Sequence, residues 1–317
     1  MNILSLFDGI SCARIALDKL GISIDNYFAS EIDESAIKIS RNNYPDIIHI
    51  GDIRKINSSN LPQIDLLIGG SPCQDLSNAQ NGLGLEGSKS GLFYEYIRLL
   101  KELKPKYFLL ENVKNKWGNL MSEIVGVPFL HINSAIFSAQ SRPRYYWTNL
   151  SYPKFPSKFN DETICSILEI NVGKEFYYDK NGLDKFIKTT SKNNKKTQDG
   201  IIKVFDLPKE ILKDNERQRR VYSIQSKSPT ILARADTTKI LIESKIRKLT
   251  PLECERMQKI PDNYTIGCSN TQRYKMIGNA FTVDVIEHFL KGLNKEPILK
   301  REKIKIEIKP EQLSLFI

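Results

Sequence analysis

The first 110 residues alternate short apolar runs with helical patterns, and this alternation restricts the fold more than any other feature of the chain. "NILSLF" is followed by a helical stretch over 11–20 and "NYFAS" by one over 33–43; "DIIHI" and "IDLLIGG" follow, then a helical stretch over 91–103 and "YFLLE". Strand-length runs separated by helical periods build a parallel sheet with helices on both faces. The expected fold class is therefore α/β. Ligands of such sheets bind outside the carboxyl ends of the strands. Phe7 to Ser11, Glu31, Asp52, Cys73 and Glu111 all fall at such ends.

From about residue 151 the pattern changes to loops and short strands, and "KTTSKNNKKTQDG" (188–200) has no apolar periodicity, so a second, smaller domain is expected. "TPLECERMQKIP" reads as a capped helix stopped by Pro261, and "VDVIEHFLKGL" as a helix packing back on the first domain. The division expected is 1–150, then 151–271 with 246–271 shared, then a returning helical segment over 272–295 and a charged, extended tail over 296–317. No apolar run has the length of a membrane span and no basic leader precedes "MNILSLFDG", which points to a soluble, cytoplasmic protein. Five cysteines without a CxxC pair, and only three histidines, argue against a disulfide framework or a structural zinc site, so no metal is expected. A net charge of +10 is compatible with a polyanionic partner.

"FDGISCARIAL" joins the first strand to the first helix, so its backbone N–H groups and the helix N-terminus can face a polar ligand. Glu31, at the end of the second strand, is placed to accept from both hydroxyls of a ribose, and Asp52, after the third, from an adenine amino group. By itself such a glycine turn with strand-end acids fits a ligand-free protein equally well. "SPCQ" puts Cys73 just past the fourth strand with Pro72 stiffening the turn, and Glu111 of "LLENV" ends the next strand. Cys73 alone reads as a buried filler; beside Glu111 it reads as a nucleophile that adds to an electron-poor ring while the acid hydrogen-bonds a ring nitrogen. Cytosine fits that description. Arg142 and Arg144 of "AQSRPRYYW", two apart on an extended segment, share a face and suit a carboxylate or a pyrimidine oxygen, although an exposed basic strand has the same spacing.

In order, "FDGISCARIAL", "SEID", "GDI", "GGSPCQDLS", "SGLFYEYIRLL", "ENV", "QSRPRYYW", "RKLTPLECERMQKIPDNY" and "QRYKMIGNAFTVDVI" resemble the motifs of the cytosine-C5 DNA methyltransferase family of bacteria and their phages. The resemblance implies a Rossmann-like S-adenosylmethionine-dependent domain with a mostly parallel sheet, plus a smaller target-recognition domain. It implies that Cys73 attacks C6 of a cytosine flipped out of duplex DNA, that Glu111 binds N3 and the exocyclic amine, that Arg144 binds O2, and that Arg142 supports Glu111. S-adenosylmethionine would lie against Phe7, Asp8, Gly9, Ile10, Ser11, Glu31, Ile32, Asp52, Ile53, Pro72, Leu92 and Asn279. The family's first motif is commonly FxGxGG; Ser11 and Cys12 stand at its later glycines, and Cys12 reads as packing. A tRNA cytosine-C5 methyltransferase of the same superfamily is the alternative, but its Cys-Phe-Thr run is absent. A nicotinamide oxidoreductase would leave "SPCQ" and "QSRPR" without a role. The resemblance fits an orphan enzyme or half of a restriction system, acting as a monomer.

The unmatched stretch, about 151–225, is where this family keeps target recognition. Arg217, Arg219, Arg220, Thr230 and Arg234, within and beside "NERQRRVYSIQSKSPTILARAD", are expected at the DNA, as are Gln74 and Ser77 next to the nucleophile. For each arginine, phosphate contact comes ahead of base reading. The terminal Gln312, Leu313, Ser314, Leu315 and Phe316 resemble the QLSLF peptide with which bacterial proteins dock on the replication sliding clamp, tethered by "NKEPILKREKIKIEIKP".

Overall fold

The computed structural model describes residues 1–72 and 91–298. Strand β1 (Asn2–Leu6) has Ile3, Leu4 and Leu6 fully buried, with parallel partners on both edges: β2 (Asn26–Ser30) and β4 (Leu66–Gly70). Strands covered on both faces must be apolar almost throughout, which is why "NILSL" and "LLIGG" lack polar alternation. With β3 (Ile48–His49), β5 (Tyr107–Val113), β6 (Leu130–Asn133) and β7 (Pro143–Thr148), they form a seven-stranded sheet of order β3-β2-β1-β4-β5-β7-β6. β1 to β5 run parallel, and β7 runs antiparallel to β5. The chain winds outward from β1 to β3 and then returns to β4 on the other side of β1. The strand order therefore reverses between β1 and β4, the place where open α/β sheets leave a ligand crevice.

Helices α1 (Cys12–Lys19) and α2 (Glu34–Asn43) follow β1 and β2; α3 (Gly91–Leu103) precedes β5 and α4 (Gly118–Val125) follows it. Phe93, Tyr96, Ile97 and Leu100 recur at helical spacing on α3 and pack with Leu4, Leu67, Phe108 and Leu110 of the strands. Each such side chain contributes roughly 1.5–3 kcal/mol by its burial. Asp33 caps α2 by accepting from the amides of Ser35 and Ala36.

The chain divides into two compact units. The first comprises Met1–Ile132, Pro143–Phe155 and the segment from Val285; the second comprises Asn133–Arg142 and Pro156–Asp284. The second unit carries α5 (Leu183–Thr189) and a four-stranded sheet of order β11-β10-β9-β8, built from β8 (Lys203–Asp206), β9 (Arg220–Ser223), β10 (Lys239–Ile242) and β11 (Lys245–Lys248). Leu183, Ile187, Val204, Phe205, Leu207, Val221 and Ile246 form its apolar core. Residues 133–142 belong to it because their backbone pairs far along the chain: Ser141 N donates to Ser228 O (2.8 Å) and Ser228 N to Ala139 O (2.7 Å).

Two helices complete this unit, α6 (Pro251–Met257) and α7 (Asn270–Asn279). α6 opens with the capping box Thr250–Glu253, as "TPLE" implies. Its end differs from the expectation that Pro261 stops it. Lys259 turns left-handed (φ 61°), Ile260 N donates to Glu255 O and Lys259 N to Arg256 O. This pattern closes the helix before the proline is reached. Instead of returning to the first domain, α7 lies wholly in the second unit, with Tyr274 Oη donating to Leu249 O at 2.6 Å. The return is made by α8 (Val283–Leu290): Phe289 packs 5.0 Å from Tyr146, Lys19 pairs with Glu287 at 2.7 Å, and Tyr107 Oη donates to Lys295 O beyond the helix. The tail expected over 296–317 lies outside the described residues from 299 on. Among the described residues, no helix is long and apolar enough to cross a membrane.

Candidate active site

All five parallel strands end on one edge of the sheet, and the first unit's expected site residues gather there. After β1 the chain enters a tight turn: Phe7 and Gly9 have φ of 56° and 60°, and Ser11, which precedes α1, has φ 60°. Asp8 lies inside this turn at 7% exposure. Its Oδ1 accepts from Tyr27 Oη (2.7 Å) and its Oδ2 from Ser11 Oγ (2.6 Å). Burial pushes the Asp8 carboxyl up to about 6, with the two hydrogen bonds opposing the rise and the charge of Glu31 adding to it. Ile10 is almost fully buried, so its side chain belongs to the core and only its backbone remains for a ligand.

Glu31, at the end of β2, is held by backbone donors. Gly9 N donates to Oε2 (2.9 Å), and Ile32 N and Asp33 N donate to Oε1 (2.7 and 2.8 Å). A carboxylate has about four acceptor positions, so Oε2 keeps capacity for a ligand hydroxyl. Ile32 beside it is 68% exposed, an apolar surface at the same edge. Asp52 follows β3 and takes a forked pair from Arg54, Nε to Oδ1 at 3.0 Å and Nη2 to Oδ2 at 2.5 Å. Arg54 holds that carboxyl below its usual range. Ile53 is buried at 3% in the core. Pro72, after β4, and Leu92, in the first turn of α3, are partly covered.

In the ladder between β4 and β5, Gly70 is opposite Glu111, which places Glu111 beside the strand that leads into "SPCQ". In the ladder between β5 and β7, Val113 is opposite Arg144 and Glu111 opposite Tyr146, so Glu111 and Arg144 are diagonal neighbours on one face. Arg144 Nε pairs with Glu111 Oε1 at 2.9 Å, and both side chains are largely covered. Asn112, with its side chain on the opposite face, donates through Nδ2 to Ser71 Oγ (2.8 Å) and Ser71 O (3.2 Å) and so fixes the end of β4. Its role was not readable in "ENV", because the bond joins two strand ends; the same holds for Tyr27 and Ser40 around the first turn. Cys73, Gln74 and Ser77 lie outside the described residues, as do Gln312, Leu313, Leu315 and Phe316.

The second unit holds the other expected residues. Arg142 precedes β7, so the alternation that would set it on the face of Arg144 does not extend to it. Buried at 5% exposure, it donates to the carbonyls of Gly278 (2.9 Å), Ala280 (3.1 Å) and Ile231 (3.4 Å). In the first unit, the Glu111 carboxylate takes an ion pair from Arg144. Asn279, at the end of α7, is exposed. Thr230 Oγ1 donates to Ser141 O, Arg219 to Leu207 O, Arg220 to Glu216, and Arg234 to Asp214. Arg217 is exposed.

The first edge fits S-adenosylmethionine by its own shape and chemistry. A Cβ placed on Gly9 would meet no atom within 4 Å, so the turn faces open space, bordered by an acid with spare acceptor capacity and an exposed apolar side chain. The profile of the C-5 cytosine-specific DNA methylase family matches residues 1–127 and 130–295. The Type II methyltransferase M1.ScrFI of Lactococcus lactis subsp. cremoris is 31% identical over 311 residues, covering 90% of this chain and 76% of that protein. M.FnuDI of Fusobacterium nucleatum is 28% identical, covering 99% of both. Among solved structures, the Entamoeba histolytica methyltransferase EhMeth superposes with a TM-score of 0.68 at 18% identity, covering 92% of this chain and 97% of that one, which shows the shared fold. With motifs, fold and a match over nearly its whole length in agreement, the chain belongs to the C-5 cytosine-specific DNA methylase family.

Proposed function

We propose that this chain methylates C5 of a flipped-out cytosine at a specific sequence in duplex DNA, with Cys73 as nucleophile and Glu111 as the acid that activates the ring. The observation that carries the reading is the Glu111–Arg144 pair, 2.9 Å apart at the carboxyl edge of the sheet, next to the strand that runs into "SPCQ". S-adenosylmethionine supplies the methyl group from its sulfonium. Cys73 adds as thiolate to C6 while Glu111, protonated, donates to N3, so the electron pair displaced from the C5–C6 bond is available at C5. Arg144 orients the Glu111 carboxyl and reaches the pyrimidine O2. After transfer, loss of the C5 proton expels the Cys73 thiolate and restores the ring. Around the cofactor, Gly9, Glu31, Ile32 and Asp52 would hold the nucleoside, with Phe7, Pro72 and Leu92 completing this side of the site.

The second unit reads the target, through Arg217, Arg219, Arg220, Thr230 and Arg234, and Gln74 and Ser77 also bind the DNA. Residues 312–316 dock the enzyme on the replication clamp, and the chain acts as a monomer. Bisulfite sequencing of varied duplex DNA treated with enzyme and S-adenosylmethionine tests the activity and reveals the site. Methyl transfer to tRNA alone would reverse the choice of substrate. A duplex with 5-fluorocytosine at the target should become covalently trapped through Cys73. Deleting 312–317 should abolish retention by the clamp, and unchanged retention would remove that partner.

A further inference from the structure

Ser11 stands where a helix N-cap belongs, yet it does not cap. An N-cap serine has extended backbone and accepts an amide from the first turn. Ser11 is left-handed (φ 60°, ψ 39°) and makes no side-chain cap bond. This backbone region is rare outside glycine, asparagine and aspartate. The hydroxyl is used elsewhere: Ser11 Oγ donates to Asp8 Oδ2 at 2.6 Å and lies 2.7 Å from Ser40 Oγ. Its one hydrogen goes to Asp8, so Ser40 is the donor in the second bond, and His49 Nε2, 3.3 Å from Ser40 Oγ, is left to donate to Ser40. Tyr27 Oη closes the other side of Asp8 at 2.7 Å. Asp8, Ser11, Tyr27 and Ser40 are all buried, and they come from β2, α2 and the turn itself. Between Asp8 and Ser11 sits Gly9, whose N–H orients Glu31 at 2.9 Å.

We infer that Asp8 is a positioning residue for the cofactor: its carboxylate, by holding the Ser11 hydroxyl, keeps a serine in the left-handed backbone that the FxGxGG pattern gives to glycine, and so keeps Gly9 N–H on Glu31. The inference rests on the cofactor reading above. A glycine at 11 needs no such hold, because it enters this region without a Cβ penalty. Asp8 and Ser11 therefore act as a pair that replaces one glycine.

The test is the affinity of the full chain for S-adenosylmethionine by titration calorimetry, with melting temperature followed in parallel. Asp8→Ala should raise Kd about tenfold, a loss of roughly 1.4 kcal/mol of binding. The double variant Asp8→Ala with Ser11→Gly should recover most of that loss, although it removes more hydrogen-bonding groups. Asp8→Asn, which offers one acceptor oxygen in place of two, supplies the same pair of measurements if the alanine variant does not fold. A lowered melting temperature with unchanged Kd would overturn the inference, and so would a raised Kd that glycine at 11 fails to rescue. Absence of binding by the unaltered chain would instead remove the cofactor reading itself.

Discussion

At the scale of single residues, two carboxyl groups on the same sheet edge do opposite things. Asp8 is buried at a pKa of about 6, so the folded chain binds a proton there that the unfolded chain, titrating near 3.8, has already released. Folded-state stability from this group is therefore fully present below about pH 4 and declines as pH rises through 6, by roughly 3 kcal/mol at about 1.4 kcal/mol per unit. Urea titrations of the chain and of Asp8→Asn should show their difference in stability shifting in the variant's favour from pH 4 to pH 8; a constant difference would contradict it. Glu111 instead meets Arg144 directly. Glu111→Gln should keep cofactor affinity and lower the rate of methyl transfer by about 10²–10⁴-fold, the range for a positioned general acid, in a tritium-transfer assay. Glu31, Asp52 and Glu111 were legible as strand-end acids because position along the chain suffices to find a strand end. Asn112, Tyr27 and Ser40 were not, since their roles come from partners on other elements.

At the scale of elements, the second unit ties α6 to β11 through a buried ion pair. Arg247 donates from Nη1 and Nη2 to the two carboxylate oxygens of Glu253 at 2.7 and 2.6 Å, both side chains being almost completely covered. The same carboxylate receives Thr250 N and Glu169 N, so one residue serves as helix cap and charge partner. Arg247→Met alone should lose about 3–5 kcal/mol of stability by leaving a buried carboxylate without its cation, whereas Arg247→Met with Glu253→Gln, which removes the charge and keeps an acceptor oxygen for the cap, should lose less. Urea denaturation of the two variants separates these outcomes. "TPLE" shows the cap in sequence, but nothing near "KIRK" shows that its arginine reaches it. The end of α6 follows the same logic: Pro261 is visible in sequence, and the left-handed Lys259 that ends the helix earlier is not.

At the scale of the whole molecule, a net charge of +10 makes phosphate contact the main source of nonspecific affinity for DNA, and such affinity falls steeply with salt. Arg217, exposed on the second unit, should behave as a phosphate contact: Arg217→Ala should weaken binding to all duplexes alike and reduce the slope of log K against log salt by about one. Weakening confined to one sequence would make it a base reader instead. The strands β1 to β5, their helices and the edge that collects the candidate site residues were determined by local sequence, because apolar periodicity and strand-end position are properties of neighbouring residues. Which unit a segment joins was decided only by tertiary structure. "NSAIFSAQSR" and α7 entered the second unit through bonds to residues far along the chain, such as Ser141 to Ser228 and Tyr274 to Leu249, and no local pattern encodes a partner at that distance.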